Sequence, residues 1–433
     1  MNKFTKIFTA LVTLALLATA CATPAATDVP ANTSVPERPV ICGDTQDGDT
    51  LNVVYQWSGS EEEKINTIFK PLVDQCGIQI VTESTRDAAV LDTKAKSTPP
   101  DILFWPSTAP VNLYSSQLMD LKSVGANTAN YESYWLDLGT QDGKLLALPV
   151  KADIKSIIWY SPARFEALGY TVPTTFDELN TLVDKMAADG NVPWSMGFGS
   201  DAATGWTGSD FIQDLLLTQQ GPEYVLKIIS GEVAYNDAGV VKAYETYVKW
   251  ASDEMYTVGG ADGTLNTPFL DAIYKVFQEK PEAMMVKQSG FAGGEILNQF
   301  PTLVYGTDYD FFAFPGAQGM QGGADYMMAF SDTAATKALV AYLTSEEGAT
   351  AWAKAGFDLS PNKLATDKYE DVQLAKKAAA LAQATGFTPD LGDTIPAPFG
   401  ETEWKAIIAA VQGDDIPTAL DSVAKAQTEA LAK

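Results

Sequence analysis

The sequence contains no histidine, and this absence limits the chemistry open to the protein. Without histidine a chain cannot build a Ser-His-Asp or Cys-His catalytic group, a metal-binding helix with paired histidines, or an imidazole proton relay. The chain also lacks a Gly-x-x-x-x-Gly-Lys-Ser/Thr phosphate-binding loop and a Gly-x-Ser-x-Gly nucleophile elbow. Several common routes to hydrolysis and nucleotide-driven chemistry are therefore excluded.

Basic residues are scarce as well. The 29 Lys and Arg residues stand against 55 Asp and Glu, which gives a net charge of −26 and a pI near 4.3. A protein with this field repels phosphate, so we expect no nucleic acid partner and no general attraction to anionic lipid. The 433 residues, 46% hydrophobic and 10% aromatic, are enough for two or three folded domains. Neutral or cationic partners are expected.

Long apolar runs are absent except near the N-terminus. Lys3 and Lys6 precede an apolar run over residues 7–18, which has the length of a signal-peptide core and is too short to span a bilayer. Small residues then lead to Cys21, which resembles the bacterial lipobox cysteine that is diacylated and becomes the mature N-terminus, although the lipobox leucine stands one position early. We predict a lipoprotein signal peptide over residues 1–21. The alternative is an ordinary signal peptide with an incidental cysteine.

A tether is predicted over residues 22–40, which contain four prolines and no aromatic residue. Such a composition favours an extended chain that holds a domain away from a membrane. The sequence therefore predicts an exported protein, lipid-anchored to a membrane and facing the periplasm or the cell exterior.

The two other cysteines, Cys42 and Cys76, are expected to form a disulfide, because exported proteins meet an oxidising environment. It would join the segment before the first strand to the end of the first helix and contribute roughly 3–4 kcal/mol. The alternative is two separate buried thiols.

The pattern between residues 50 and 105 predicts alternating strands and helices. Residues 51–55, 78–82 and 102–105 are predicted strands, and an apolar face with helical spacing follows Ser60, where Glu61 to Glu63 indicate a capping box. This order favours a mostly parallel, doubly wound α/β sheet. A second unit is predicted after Val150, beginning with a strand and a helix capped near Thr175.

Tryptophan placement is the main candidate signal for a binding site. Trp57, Trp105 and Trp206 each follow an apolar strand or lie in a glycine-bearing loop, where doubly wound folds place ligand clefts. Aromatic faces flanked by carboxylates and amides suit sugars, because C–H faces stack on the rings while hydroxyls bond to the polar groups. The alternative is that these rings are core.

Several segments together resemble a known family. They are Pro100-Asp101-Ile102-Leu103-Phe104-Trp105, the stretch from Leu148 to Tyr160, Ala203-Thr204-Gly205-Trp206-Thr207-Gly208-Ser209-Asp210, Gly259-Gly260-Ala261-Asp262, Ser289-Gly290-Phe291 and Gly322-Gly323-Ala324-Asp325. In order and spacing the chain resembles bacterial extracellular solute-binding proteins of the sugar-binding ABC-transporter class, most of all the α-glucoside binders. The resemblance covers residues 50–430.

This resemblance implies a periplasmic-binding-protein type II fold, in which two doubly wound α/β lobes are joined by hinge strands and close around a ligand. The lobes would be discontinuous. One would comprise residues 41–150 plus 315–372, and the other residues 151–314 plus 373–433. A non-enzymatic monomer without cofactor or metal is expected.

The resemblance also implies site residues. Trp105 stands at a sugar-contacting position after the third strand, Asp153 at an acidic contact where the chain first crosses between lobes, and Phe291 at an aromatic platform. The maltose-binding branch has an Asp-Arg pair where this chain has Thr108 and Ala109, so hydroxyl recognition is expected to move elsewhere. The full set of candidate ligand contacts is Trp57, Trp105, Asp153, Trp206, Asp210, Lys287, Gln288, Phe291, Gly323, Asp325 and Trp404.

The sequence thus predicts a receptor that captures a neutral oligosaccharide, an α-glucoside of the maltose or trehalose type, and delivers it to the permease of an ABC importer. Two alternatives stay open. One is a secreted carbohydrate-active hydrolase that uses a carboxylate pair. The other is a binding protein for a peptide, a polyamine or another cation, which the acidic composition permits.

Overall fold

The computed structural model describes residues 39–85 and 87–432, so the predicted signal peptide, Cys21 and nearly all of the predicted tether lie outside the described residues. The strands are β1 (Thr50–Tyr55), β2 (Gln79–Ser84), β3 (Ile102–Trp105), β4 (Thr140–Gln141), β5 (Lys144–Leu145), β6 (Leu148–Ile154), β7 (Ile157–Tyr160), β8 (Met285–Lys287), β9 (Asp310–Ala313), β10 (Met320–Ala329) and β11 (Phe387–Pro389).

The α-helices are α1 (Ser60–Cys76), α2 (Ala88–Ser97), α3 (Ala109–Tyr114), α4 (Ser133–Leu138), α5 (Pro162–Leu168), α6 (Phe176–Ala188), α7 (Trp206–Gln219), α8 (Pro222–Ser230), α9 (Ala238–Ser252), α10 (Gly260–Asn266), α11 (Phe269–Phe277), α12 (Ala292–Gln299), α13 (Ala334–Leu343), α14 (Glu346–Ala355), α15 (Val372–Gln383), α16 (Leu391–Thr394), α17 (Phe399–Gln412) and α18 (Ile416–Leu431). In the part of the chain described here, no helix is both long and apolar enough to cross a bilayer.

The larger sheet has the strand order β11-β10-β3-β1-β2, with β6 also paired to β10. Strand β1 is parallel to β2 and β3, as the alternating pattern predicts, while β10 runs antiparallel to β3 and β6. All four residues of β3 are buried, which is typical of a central strand covered on both faces. The predicted doubly wound α/β arrangement is confirmed for this lobe.

Helix α1 shows which local features the sequence reveals. Its buried residues Ile65, Ile68, Phe69 and Leu72 recur at helical spacing and face the sheet. The predicted capping box at Ser60 is wrong, because Gly59, with φ 58°, occupies the N-cap position and no side chain caps the helix. The predicted disulfide is present, and joins Cys42 to Cys76 across a sequence separation of 34.

A smaller antiparallel sheet with the order β8-β7-β9 forms the second unit. Its core includes Ile158, Trp194, Phe211 and Trp250, and helices surround it. Helix α6 begins as predicted, because the Thr175 hydroxyl accepts from the Glu178 N–H and the Glu178 carboxylate accepts from the Thr175 N–H, each at 3.2 Å.

The two sheets are joined at a pair of neighbouring crossing segments. Between β6 and β7, the Lys155 N–H donates to the Gln321 carbonyl at 2.9 Å. In return, the Gln321 N–H donates to Ser156 Oγ at 2.8 Å. The chain therefore leaves the first sheet after β6 and returns to it at β10. The two crossing segments lie side by side, which is the geometry of a hinge.

Candidate functional site

A cleft opens beside the crossing segments. It consists of two adjoining cavities of about 420 Å³ and about 430 Å³, which share Asp153, Asp390 and Asp393 in their walls. The first cavity is bounded by the residues after β3 and by strand β10, and the second by the start of α7 and the segment before α12. Strands of the larger sheet therefore meet helices and loops of the second unit at this cleft.

One wall of the cleft carries aromatic rings. Trp206, Phe291 and Trp404 line the second cavity. Trp206 and Trp404 are half-buried, and 41% of Phe291 is exposed, so each ring keeps surface open to a ligand. Phe269 lies behind two of them and makes edge contacts with Trp206 at 5.4 Å and with Phe291 at 6.2 Å between ring centroids. Such a wall can stack on the apolar face of a sugar ring.

Gly205 explains how two of these rings come close together. Its φ of 109° belongs to the left-handed region, and a Cβ at this position would lie 2.9 Å from Trp404 Cβ. Only glycine lets the loop before Trp206 approach α17 this closely. Gly205 thus allows Trp206 and Trp404 to lie close together in the aromatic wall.

Lys155 is the centre of a buried ion cluster on the floor of the cleft. Its Nζ lies 2.7 Å from Asp390 Oδ2, 3.2 Å from Asp210 Oδ1 and 3.7 Å from Asp393 Oδ2. Burial lowers the pKa of Lys155, but the carboxylates of Asp210, Asp390 and Asp393 outweigh burial and hold the pKa well above its usual range. The cluster fastens the hinge to α7 and to the start of α16.

The two most buried carboxylates of this cluster differ in their response to Lys155. Burial raises the pKa of Asp390, but the attraction of Lys155 and a hydrogen bond to Asp210 overcome burial and leave the pKa below its ordinary value. Burial dominates at Asp210 and raises its pKa well above the ordinary value despite Lys155 and Lys287. Asp390, paired with Lys155 at 2.7 Å, has reduced capacity for a ligand, whereas the side chain of Asp393 is 75% exposed and open to one.

Asp153 is different, because no hydrogen bond reaches its carboxylate from any described residue, and it lines both cavities. Burial and then the Asp358 carboxylate raise the pKa of Asp153 to about 6, against the opposing attraction of Lys377, Lys155 and Lys151. A half-buried carboxylate with open acceptor positions is suited to receive hydroxyl groups. Asp153 is therefore a strong polar candidate in the cleft, and Asp393, which also lines both cavities, is a second.

Asp325 also lines the first cavity, but its oxygens already have partners. Gln56 Nε2 donates to Oδ1 at 2.8 Å, and Trp57 Nε1 donates to Oδ2 at 2.8 Å. Lys151 Nζ lies 3.3 Å from the same Oδ2 and is also paired with Glu61. Little acceptor capacity remains on Asp325 for a ligand.

The structure brings seven of the eleven sequence candidates together at the cleft. These are Asp153, Trp206, Asp210, Phe291, Gly323, Asp325 and Trp404. The other four, Trp57, Trp105, Lys287 and Gln288, do not line it.

Trp57 and Trp105 lie in the core. Trp57 is 1% exposed and packs on Phe104 and Phe357, with ring centroids 5.0 Å away in each case. Trp105 is 9% exposed, and the residues that follow it, Pro106 to Thr108, line the cleft in its place. The structure therefore places neither ring in the cleft wall, because neighbouring rings enclose Trp57 and Trp105 lies on the buried strand β3.

Lys287 and Gln288 lie behind the cleft. Lys287 is 6% exposed, and its Nζ lies 3.2 Å from Asp214 Oδ2. The Gln288 carbonyl accepts from Trp159 Nε1 at 3.1 Å. Both residues therefore support the segment that leads to Phe291, and neither lines the cleft in this structure.

Sequence reasoning missed Lys151, Lys155, Ser289, Asp390 and Asp393, all of which line the cleft. The two lysines lie within the stretch that carries the family resemblance, and their alternation with Asp153 on β6 was an available signal. Asp390 and Asp393 come from the far end of the chain, where nothing local distinguishes them from other acidic residues.

Comparison with known proteins shows the family. The sequence profile of the family described as bacterial extracellular solute-binding protein matches residues 59–350. The alpha-glucosides-binding periplasmic protein AglE of Rhizobium meliloti is 31% identical over 404 residues, which cover 88% of this chain and 87% of that protein. The osmoprotective compounds-binding protein GgtB of Synechocystis is 27% identical, over 97% of this chain and 98% of that protein.

Solved structures share the two-lobe periplasmic-binding fold. The bacterial solute receptor AcbH aligns with a TM-score of 0.74 at 19% identity, over 89% of this chain and all of that one (100%). RafE from Streptococcus pneumoniae aligns with a TM-score of 0.70 at 15% identity, over 89% of this chain and 99% of that one. With a profile that spans more than half of its length and a relative matched over most of both sequences, the chain belongs to the family of bacterial extracellular solute-binding proteins.

Proposed function

We propose that this protein is the receptor of an ABC importer and captures a neutral oligosaccharide, an α-glucoside, by closing its two lobes around it. The receptor does not change its ligand chemically and hands it to the permease subunits. It acts as a monomer outside the cytoplasm.

The observation that carries this proposal is the pairing of an aromatic wall with a carboxylate that accepts no hydrogen bond from any described residue. Trp206, Phe291 and Trp404 offer ring faces, and Asp153 offers open acceptor positions in the same cleft. A sugar presents both complementary surfaces, since its C–H face is apolar and its hydroxyls donate. A polyamine could also use both features, because its ammonium groups pair with a carboxylate and bind ring faces by cation–π attraction, so a cation belongs in the ligand panel.

Relatives support the same ligand class. The name of AglE states binding of alpha-glucosides, and that protein covers most of this chain. Another relative, from Pyrococcus horikoshii, is named as an ABC transporter extracellular-binding protein and is 26% identical over 93% of this chain. GgtB is named for osmoprotective compounds, which makes small osmoprotectants the second ligand class to test.

A thermal-shift screen tests the proposal directly, because a ligand that binds only the folded state raises the melting temperature. The panel contains maltose and trehalose as α-glucosides, cellobiose as a β-linked isomer, glycine betaine as an osmoprotectant, and spermidine as a cation. We expect the largest shift with an α-glucoside. A shift with spermidine alone would support a cation-binding protein instead.

Catalysis is tested in the same samples. Chromatography after long incubation should return maltose and trehalose unchanged. Release of glucose that increases with protein concentration would support the alternative of a hydrolase that uses a carboxylate pair.

The lipid anchor is a separate part of the proposal. Acylation of Cys21 should move the full-length protein into the detergent phase of a producing bacterium, and Cys21→Ser should release it or leave it unprocessed. Identical partitioning of the two proteins would contradict the anchor while leaving the binding function untouched.

A further inference from the structure

The exposed ring of Phe291 is held by a short segment that crosses the edge of the second sheet. Residues 288–291 run from the end of β8 to the start of α12. Phe291 occupies the N-cap position of α12, and no side chain caps that helix. The position of the ring is therefore set by the segment that precedes it.

Hydrogen bonds hold the backbone of residues 288–290 in place. Trp159 Nε1 donates to the carbonyls of Gln288 at 3.1 Å and Ser289 at 3.2 Å. The Gly290 N–H donates to the Ile154 carbonyl at 3.1 Å, which links the segment to β6 beside the hinge. The Gly290 carbonyl, immediately before Phe291, accepts from Lys377 Nζ at 2.9 Å.

Lys377 comes from α15 and is 8% exposed. Among residues 39–85 and 87–432 no carboxylate lies within 4.0 Å of its Nζ, so the carbonyl of Gly290 is its closest polar partner. Burying an ammonium group is unfavourable unless its hydrogen bonds are compensated. A neutral apolar side chain would fill the same space at lower cost to the fold, so the charge calls for a role beyond packing. The groups that it faces are the Gly290 carbonyl and the Asp153 carboxylate, which it attracts.

The geometry around Gly290 shows what Lys377 can reach. A Cβ at Gly290 would lie 2.6 Å from Asp153 Oδ1 and 3.0 Å from Lys377 Nζ. The carboxylate that faces the cleft and the buried ammonium therefore meet at the residue before the aromatic platform. Only the missing side chain of glycine leaves room for both.

We propose that Lys377 is a positioning residue for ligand binding, which holds the Gly290 carbonyl and so places the Phe291 ring in the cleft. The inference rests on the proposed function, because it concerns the same cleft and the same ring. Lys377 itself does not touch the ligand. It acts through Phe291.

Lys377→Met tests this assignment, because methionine keeps most of the volume and removes the donor. We expect the affinity for the best sugar of the panel to fall about 10-fold, which corresponds to about 1.4 kcal/mol. Lys376→Met is the matched control, since Lys376 lies next along the same helix but is paired with Asp310 at 2.7 Å and does not line the cleft. The control should bind as the wild type does.

A double-mutant cycle separates positioning from a general structural role. The cycle is measured at pH 8, where Asp153, whose pKa is about 6 with Lys377 present, stays ionised. In a Phe291→Ala background, Lys377→Met should then weaken binding less than about 3-fold, because the ring through which it acts is gone. An equal loss in both backgrounds would overturn the proposal. If Lys377→Met does not fold, Lys377→Gln shortens the side chain and removes the charge at the same position, and the same dependence on Phe291 is expected.

The outcomes distinguish this inference from the proposed function. If the wild type binds no sugar, the proposed function fails and this inference fails with it. If the wild type binds and Phe291→Ala weakens binding while Lys377→Met and Lys377→Gln do not, only the role of Lys377 is overturned.

Discussion

Replacing Asp153 by asparagine isolates one chemical property of the cleft. The carboxylate has no hydrogen-bond partner among the described residues, so a ligand hydroxyl would not have to displace one. Asparagine keeps the shape and one acceptor oxygen but turns the other position into a donor. A hydrogen bond to a charged group contributes roughly 1.5–3 kcal/mol, so Asp153→Asn should weaken sugar binding by about that amount.

The pKa of Asp153 gives this prediction a pH signature. Since burial raises the pKa to about 6, the carboxylate is ionised at pH 7 and becomes protonated as the pH falls to 5. Wild-type affinity should therefore decrease from pH 7 to pH 5. The difference in affinity between the wild type and Asp153→Asn should shrink over the same range.

The free energy of unfolding should respond to pH in the opposite direction from the affinity: it should fall as the pH rises. Because its folded-state pKa is raised above the ordinary 3.8, Asp153 retains a proton in the folded state that the unfolded chain has lost between about pH 4 and pH 6. Its ionisation thus lowers the free energy of unfolding as the pH rises through this window. Asp153→Asn should leave the ligand-free melting temperature at pH 7 unchanged or slightly higher.

Calorimetric titration at pH 7 and pH 5, with thermal melts of the same samples, provides the test. Asp414→Asn is the charge-matched control, because Asp414 is exposed and lies outside the cleft. Equal affinities of the wild type and Asp153→Asn would remove Asp153 from the site. A lower melting temperature without ligand would show a structural role at the hinge instead.

Three other predictions concern different parts of the molecule. Trp206→Ala should weaken sugar binding by roughly 1–3 kcal/mol with little loss of ligand-free stability, whereas Leu168→Ala, outside the cleft, should not change affinity; strong destabilisation by Trp206→Ala would identify the ring as core. Reducing the Cys42–Cys76 disulfide, which spans 34 residues, should lower the free energy of unfolding by about 3–4 kcal/mol, and an unchanged value would contradict the stabilising role. Burial raises the pKa of Glu403 from 4.5 to about 7, so between pH 5 and pH 8 the wild type should lose up to about 3 kcal/mol of unfolding free energy relative to Glu403→Gln; parallel pH profiles would refute this.

The fold was predictable where burial leaves a regular pattern. Strands β1 and β3 and the apolar face of α1 follow directly from the hydrophobic pattern, because these three elements pack together in the core of the lobe. The start of α1 was not predictable in the same way. Gly59, with its positive φ, takes the N-cap position that the sequence pattern assigns to Ser60. When a glycine and a serine are adjacent, the sequence alone does not show which of them is the N-cap residue.

The site was predictable only in part, because proximity to a strand end does not settle which way a ring faces. Trp57 and Trp206 have similar sequence settings, yet Trp57 is enclosed by Phe104 and Phe357 and donates to Asp325, while Trp206 keeps an open face. Such differences arise from tertiary neighbours.

Distant residues complete the cleft. Asp390 reaches Lys155 across a sequence separation of 235, and Lys377 reaches Gly290 across 87. Nothing in the sequence around Asp390 or Lys377 distinguishes either residue from an ordinary charged residue of a helix or loop. Only the folded chain reveals that it faces the cleft or supports its wall.

Calorimetric titration of the wild-type protein with maltose, trehalose, cellobiose and spermidine tests most directly whether the cleft is a sugar receptor. We predict saturable one-to-one binding of an α-glucoside, weaker or no binding of the β-linked isomer, and recovery of the sugar unchanged after the titration. Binding of spermidine with no response to any sugar, or conversion of the sugar during the experiment, would contradict the proposed function.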